Sequence, residues 1–286
     1  MINLGVMFAL IAMFAWGFGD FFIQKNTRRL GVWTTLFVVA SFGFLVLTPF
    51  AVGNIHGLFT TGLWLFLSAG VVYFVASFLD LEALRRGKLD VVEPIWALEI
   101  VSSGLLALLV LKEAITSLQL LFIIILVVSL VLLSFKKFRF HNLILENGVF
   151  VAFFAALIMG VANFLIGVGS RALDPVTIKW GLDFFLAFLS LFFIISTGER
   201  KLFFKHIMNN KKPLLLMSLF DNVAWLAFGF AMVLAPISIA VAISESYIII
   251  AVLLGLFINK EKLRKHQIIS LIFAIISAVY LSSTII

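Results

Sequence analysis

The sequence predicts an all-α membrane protein of about ten transmembrane helices, arranged as two inverted five-helix repeats. Three observations predict it: the composition, the spacing of the apolar runs, and a register in which the chain matches itself. Of the 286 residues, 63% are hydrophobic and 12% charged, and the mean hydropathy is +1.21. No water-soluble domain of this size sustains such values.

A helix needs roughly 20 apolar residues to cross the hydrocarbon core. Runs of that length place helices at about 4–24, 31–52, 58–83, 90–111, 118–135, 147–170, 175–197, 213–235, 237–258 and 266–286. Helix is the only reading for them, because every backbone polar group inside lipid must be satisfied within the protein. The two thinnest breaks are Arg85-Arg86-Gly87-Lys88, between the third and fourth helices, and Ala235-Pro236, between the eighth and ninth. Proline lacks the donor that a continuing helix needs and disfavours helix at the residue before it. Met1 to Leu4 carries no basic segment, so the first run reads as a helix and not as a cleaved signal. The absence of cysteine excludes disulfides and thiolate metal sites.

The net charge of +7 is topological. Lys25, Arg28 and Arg29 belong to loop one, Arg85, Arg86 and Lys88 to loop three, and Lys136, Lys137 and Arg139 to loop five. Arg200, Lys201, Lys205, Lys211 and Lys212 follow in loop seven, and Lys260, Lys262, Arg264 and Lys265 in loop nine. Eighteen of the 21 basic residues thus fall in odd loops, the exceptions being Lys112, Arg171 and Lys179. The positive-inside rule then makes the odd loops cytoplasmic and puts both termini outside, in a multi-pass protein of the cell membrane. A basic patch for nucleic acid is not implied.

Sliding the chain on itself by 148 residues aligns 89–134 with 237–282 at 13 identical positions without a gap. The informative matches are Lys112-Glu113 with Lys260-Glu261, Gln119 with Gln267, Ser129 with Ser277 and Ser134 with Ser282. The chain therefore divides into repeats at 1–138 and 145–286. An odd number of helices per repeat inverts the second copy, and the charges agree: loop three is basic while its counterpart, loop eight, is not. Inverted repeats commonly hold a substrate near the midplane between them.

Trp16-Gly17 with Lys25 in the first helix, Glu82-Ala83-Leu84-Arg85-Arg86-Gly87 leading through Val92-Glu93-Pro94, and Lys112-Glu113 ahead of Gln119 form an ordered set of short motifs. The second half repeats it more loosely in Phe230-Ala231-Met232-Val233-Leu234-Ala235-Pro236 and in Lys260-Glu261 before Gln267. Over nearly its full length the chain resembles EamA-type members of the drug/metabolite transporter superfamily. It departs from them in lacking a basic residue between Thr34 and Thr48, and in placing Ala242 opposite Pro94. The resemblance implies a central cavity lined mainly by helices one, three, four, six, eight and nine, with five and ten as supports.

Ionisable groups inside lipid cost at least about 2.5 kcal/mol each, which makes mid-helix acids the first candidates for function. Glu99, Asp183, Asp221 and Glu245 are such acids. Glu99 has Trp96 and Ser103 a turn away on either side, and Glu245 lies at nearly the equivalent depth, two residues from Tyr247. The two would face each other across the pseudo-symmetry axis as substrate or proton sites, or else be protonated or hydrogen-bonded packing residues. Asp221 shares a helix face with Trp225, and its repeat equivalent is Tyr73, which shares a face with Ser77 and Asp80. Asp183 reads first as the partner of Lys179, four residues earlier. Asn163 is a candidate site amide, although Ala152, Ala156 and Gly160 on its helix form a packing stripe. Trp16, Asp20 and Asp80 are candidates for an inner gate, against the reading that they anchor the helix ends at the interface.

Enzyme readings find no support. His56, His141, His206 and His266 sit in or beside loops without a partner at metal-ligand spacing, and neither a Gly-x-Ser-x-Gly nor a Walker A sequence is present. The expectation is a secondary transporter without cofactor. It would move a small polar or amphipathic metabolite, such as an amino acid, by alternating access with proton coupling, and by the resemblance outward. An uncoupled facilitator and an intramembrane enzyme acting on a lipid-linked substrate are the competing readings.

Overall fold

The computed structural model describes residues 3–60, 62–87, 92, 95–134, 148–196, 210–257 and 263–285. Lys88, Glu93, Pro94, Lys136, Lys137, Arg139, His141, Arg200, Lys201, Lys205, His206, Lys260, Glu261 and Lys262, on which parts of the sequence reading rest, lie outside them. The described residues form helices and no strand. In the first half these are α1 (Leu4–Leu30), α2 (Val32–Ala51), a short α3 (Ile55–Thr60), α4 (Leu63–Arg86), α5 (Leu98–Val110) and α6 (Ser117–Ser134). The second half supplies α7 (Val149–Ala172), α8 (Pro175–Ser196), α9 (Lys211–Leu234), α10 (Ile237–Ser244), α11 (Tyr247–Phe257) and α12 (Lys265–Ser283). Trp64, Phe150, Leu109 and Phe50 are among the large side chains left exposed on the outer faces, where lipid is their solvent.

Helix ends follow local chemistry. Asn3 caps α1 by accepting from the Gly5 amide at 2.7 Å. The helix runs six residues beyond the predicted end, so that Lys25, Arg28 and Arg29 ride on its last turns and not in a loop. Lys and Arg are good helix formers, and cations favour a helix C-terminus. Gly31, at φ +84°, turns the chain directly into α2. The third span starts at Leu63, not 58, because the residues before it form the separate helix α3. The matched glutamines are structural: Gln119 Oε1 accepts from the Thr116 amide at 2.9 Å, and Gln267 Oε1 accepts from the Arg264 amide at 3.0 Å. Each sits three residues into its helix and satisfies an N-terminal donor, the reciprocal arm of a capping box.

The ninth predicted helix is broken. Between α10 and α11, Ser246 N bonds Ile243 O at 3.1 Å and Ile249 N bonds Ser246 O at 2.9 Å, a local tightening to i→i+3 spacing. Ser246 Oγ holds the Ala242 carbonyl at 2.7 Å. Ala97, 148 residues before Glu245, likewise stands in a turn just ahead of α5. Both repeats thus interrupt the same helix at the same place.

The strongest helix packing runs between the halves. α1 lies on α9, α4 on α7, α2 on α8 and α6 on α12, while α5 meets α7 and α10 and α1 meets α10 and α11. Exchanging the halves maps this pattern onto itself, the signature of a two-repeat architecture. Phe122 and Tyr280 stack at 4.1 Å in the α6–α12 support. The small-residue stripe of α7 permits close approach to α5: a Cβ on Gly160 would lie 1.6 Å from Ser102 Oγ and 2.9 Å from the Glu99 carbonyl. Gly160→Ala is therefore expected to destabilise the protein by about 1–3 kcal/mol, the usual cost of overpacking. Thermal unfolding in detergent checks this, and an unchanged midpoint would mean that the α5–α7 contact yields freely.

Candidate functional site

A cavity opens between the halves; its empty space, with the part open to solvent, is about 840 Å³. α1 contributes Trp16, Asp20 and Ile23, and α4 contributes Tyr73, Ser77, Asp80 and Leu84. Glu99, Asp221, Glu245 and Tyr247 complete much of the opposite wall, with Trp96 ahead of α5. These lining positions run toward the ends of α1 and α4 that carry Arg28, Arg29, Arg85 and Arg86.

The cavity gathers Glu99, Glu245, Asp221, Trp96, Tyr73, Tyr247, Trp16, Asp20 and Asp80 into one site. Asn163 stands one layer behind, donating from Nδ2 to Glu99 Oε2 at 3.1 Å. Glu99 and Glu245 are each 6% exposed, and their carboxyls lie near enough to each other and to Asp80 to interact electrostatically. Trp16, Asp20 and Asp80 are thereby cavity-wall residues, and the interfacial-anchor reading of Trp16 fails because its ring is only 7% exposed. Trp16 packs edge-on against Trp225 at 5.2 Å and Phe228 at 5.1 Å, with Tyr247 at 6.3 Å. Tyr73 meets Trp225 at 4.9 Å, so the repeat-equivalent faces of α4 and α9 touch. Edge-to-face geometry suits these quadrupolar rings and fixes their faces relative to the cavity.

Two further spans add to the lining that the resemblance implies. α2 contributes Thr35, Leu36, Val39 and Ala40, and α8 contributes Asp183 and Leu186, so the second and seventh spans also form the wall. Asp183 pairs with Lys179 in a fully buried ion pair, and Lys179 Nζ also donates to Asn222 Oδ1 at 2.9 Å. Asn222 Nδ2 in turn reaches the Val39 carbonyl at 3.0 Å. This polar knot ties α8 and α9 to α2 beside the cavity.

A second cluster, weighed nowhere in the sequence reading, crosses between the halves at the opposite helix ends. Arg171, in the last turn of α7, donates from Nε to the Met232 carbonyl at 2.7 Å and from Nη2 to the Ala235 carbonyl at 2.8 Å. The same Nη2 reaches Glu113 Oε1 at 3.1 Å. Glu113 accepts from Ile237 N at 2.7 Å, Ser238 N at 3.2 Å and Ser238 Oγ at 2.7 Å, so it caps the N-terminus of α10. Lys112 aims it there from a left-handed backbone at φ 53°, a conformation uncommon outside glycine. At the other end of the molecule Arg28 donates to the Leu84 and Gly87 carbonyls at 3.3 and 2.6 Å. Those carbonyls are the repeat equivalents, 148 residues earlier, of the two that Arg171 holds. The Lys112-Glu113 pair was the legible trace of the Glu113 cap; the arginines, 143 residues apart, fall outside the 148-residue register.

The sequence matches the EamA-like transporter family over residues 3–135 and again over 146–283. The chain belongs to that family. EamA-like proteins are transporters, so the cavity sits in a multi-pass membrane protein built to move small molecules. A solved crystal structure superposes on this EamA-like chain with a TM-score of 0.74, covering 99% of it and 97% of the other chain at 14% identity. At that identity the likeness concerns the fold. No curated protein matches the sequence.

Proposed function

We propose that the protein is a secondary transporter of the cell membrane, moving a small polar or amphipathic metabolite by alternating access of its two halves around the cavity, in exchange for protons. The observation that carries this reading is the polarity of the arrangement. The acid-lined cavity extends toward the basic helix ends, while Glu113 and Arg171 bind the opposite ends together across the repeat interface. With the basic loops in the cytoplasm and both termini outside, this is a conformation open inward and shut outward, ready to load an exported solute.

Glu99 and Glu245 are the coupling groups in this scheme. Asn163 suits an exchanging carboxyl, because its amide donates to the carboxylate and, turned over, accepts from the acid. Its Oδ1 has no hydrogen-bond partner. Both helix interruptions lie beside these acids and supply positions where the repeats can bend. Asp20 and Asp80 act at the cytoplasmic mouth.

The test is flux of a mixed metabolite panel in proteoliposomes with and without an imposed pH gradient. At least one solute is expected to accumulate only when the gradient is present. Equal flux without the gradient would favour an uncoupled facilitator, and no flux above protein-free vesicles would remove the transporter reading.

A further inference from the structure

The charge of the cavity wall is one-sided. Asp20, Asp80, Glu99, Asp183, Asp221 and Glu245 front the space, and among the described residues no Lys, Arg or His lines it. Lys179, beside the lining residue Asp183, is committed to Asp183 and Asn222. Among the described residues an anion would therefore meet no cationic partner at this wall, and the carboxylate of a zwitterion would meet acids. Asp183 Oδ2, on a residue 1% exposed, has no hydrogen-bond partner and packs against Gly43 of α2. A bare metal ion is also a poor match, since no group of three or more potential ligands clusters among the described residues.

The aromatic lining supplies the second half of the argument. Trp16, Tyr73, Trp225 and Tyr247 surround the space next to the acids, with ring contacts of 4.9–6.3 Å among them. Ring faces attract organic cations, most of all Trp faces, and enclosing aromatic groups are the established way to hold a quaternary ammonium.

We propose, building on the transporter reading, that the substrate is an organic cation. Its amine or quaternary ammonium centre sits among Asp80, Glu99 and Glu245, and its apolar body lies against Trp16, Tyr73 and Trp225. An amino acid, expected from the sequence, fits this wall less well than an amine lacking the carboxylate.

The experiment measures binding to the full-length protein in lipid nanodiscs by tryptophan fluorescence. The probes are benzyltrimethylammonium, neutral benzyl alcohol, anionic phenylacetate and zwitterionic phenylalanine, with choline and spermidine as further cations. At least one cation is expected to bind about tenfold or more tightly than the neutral probe, with no binding of phenylacetate. Glu99→Gln and Glu245→Gln should each reduce that preference while thermal unfolding shows the variants folded. Trp225→Leu should weaken cation binding more than Trp225→Phe does. Binding of phenylacetate or phenylalanine in preference to every cation, or no binding of any cation, overturns the proposal. Flux separates the two readings. If solutes cross proteoliposomes but no cation crosses or competes, the cation proposal falls and transport stands. If cations bind with this preference and nothing crosses, transport falls and the cation site stands.

Discussion

Glu99→Gln is expected to abolish gradient-driven accumulation while leaving the protein folded. The substitution keeps the side chain's length and a hydrogen-bond acceptor for Asn163 Nδ2, which lies 3.1 Å from Oε2 in the native protein. What it removes is the ability to carry charge and release a proton. A hydrogen bond to a charged group contributes about 1.5–3 kcal/mol, so substrate affinity should fall about 10- to 100-fold if the carboxylate contacts it directly. Exchange of labelled for unlabelled substrate should survive at saturating concentration, because rocking between conformations does not need net proton movement. Glu245→Gln should show the same division. If both variants accumulate solute like the native protein, the acids are packing groups and coupling resides elsewhere.

Glu113→Ala should open the outward face. Its carboxylate holds two backbone amides, one hydroxyl and one guanidinium, all contributed by the other half. These bonds exist only when the ends of α5, α7, α9 and α10 are together, so they favour the inward-open state selectively, which is the condition for shifting an equilibrium. Losing even about 1.4 kcal/mol of that preference moves the state ratio tenfold. The natural absence of cysteine makes the measurement direct. A single Ser77→Cys in the cavity wall reports access to a membrane-impermeant maleimide. In intact cells its labelling should rise about tenfold or more with Glu113→Ala or Arg171→Ala, and in inside-out vesicles it should fall. Unchanged labelling in folded variants would make the cluster a static brace.

The spans and charge asymmetry could be read from the chain because lipid imposes them residue by residue: Leu4 to Leu30 and Val149 to Ala172 are long and apolar whatever they pack against. The 148-residue register made Tyr73 the equivalent of Asp221, but that Tyr73 meets Trp225 shows only in the structure. The interruption at Glu245 and Ser246 did not, since Ile-Ser-Glu-Ser-Tyr is compatible with a continuous helix and only the i→i+3 bonds reveal it. Glu113 stood out only as a repeat match, and its role as a cap was hidden because two of its partners are backbone amides. Arg171 hid for the same reason, as the carbonyls of Met232 and Ala235 carry no mark in sequence. Asp183 read simply as the partner of Lys179; that it also fronts the cavity depends on how α8 meets α2 and α9.

The exchange of partners between repeats bears on how the protein is made. When α1, α2 and α4 enter the bilayer, the helices against which each packs most extensively, α9, α8 and α7, are still to be synthesised. The first repeat must wait, threaded but unassembled, with small faces and buried acids such as Glu99 lacking their final neighbours. A truncated product ending near residue 138 would carry all of these unmatched surfaces, and membrane quality control, or pairing with a second copy inserted upside down, is its expected fate. Biogenesis thus depends on the last helices of the chain, and variants far from the cavity in α9 or α12 can reduce abundance without touching transport itself.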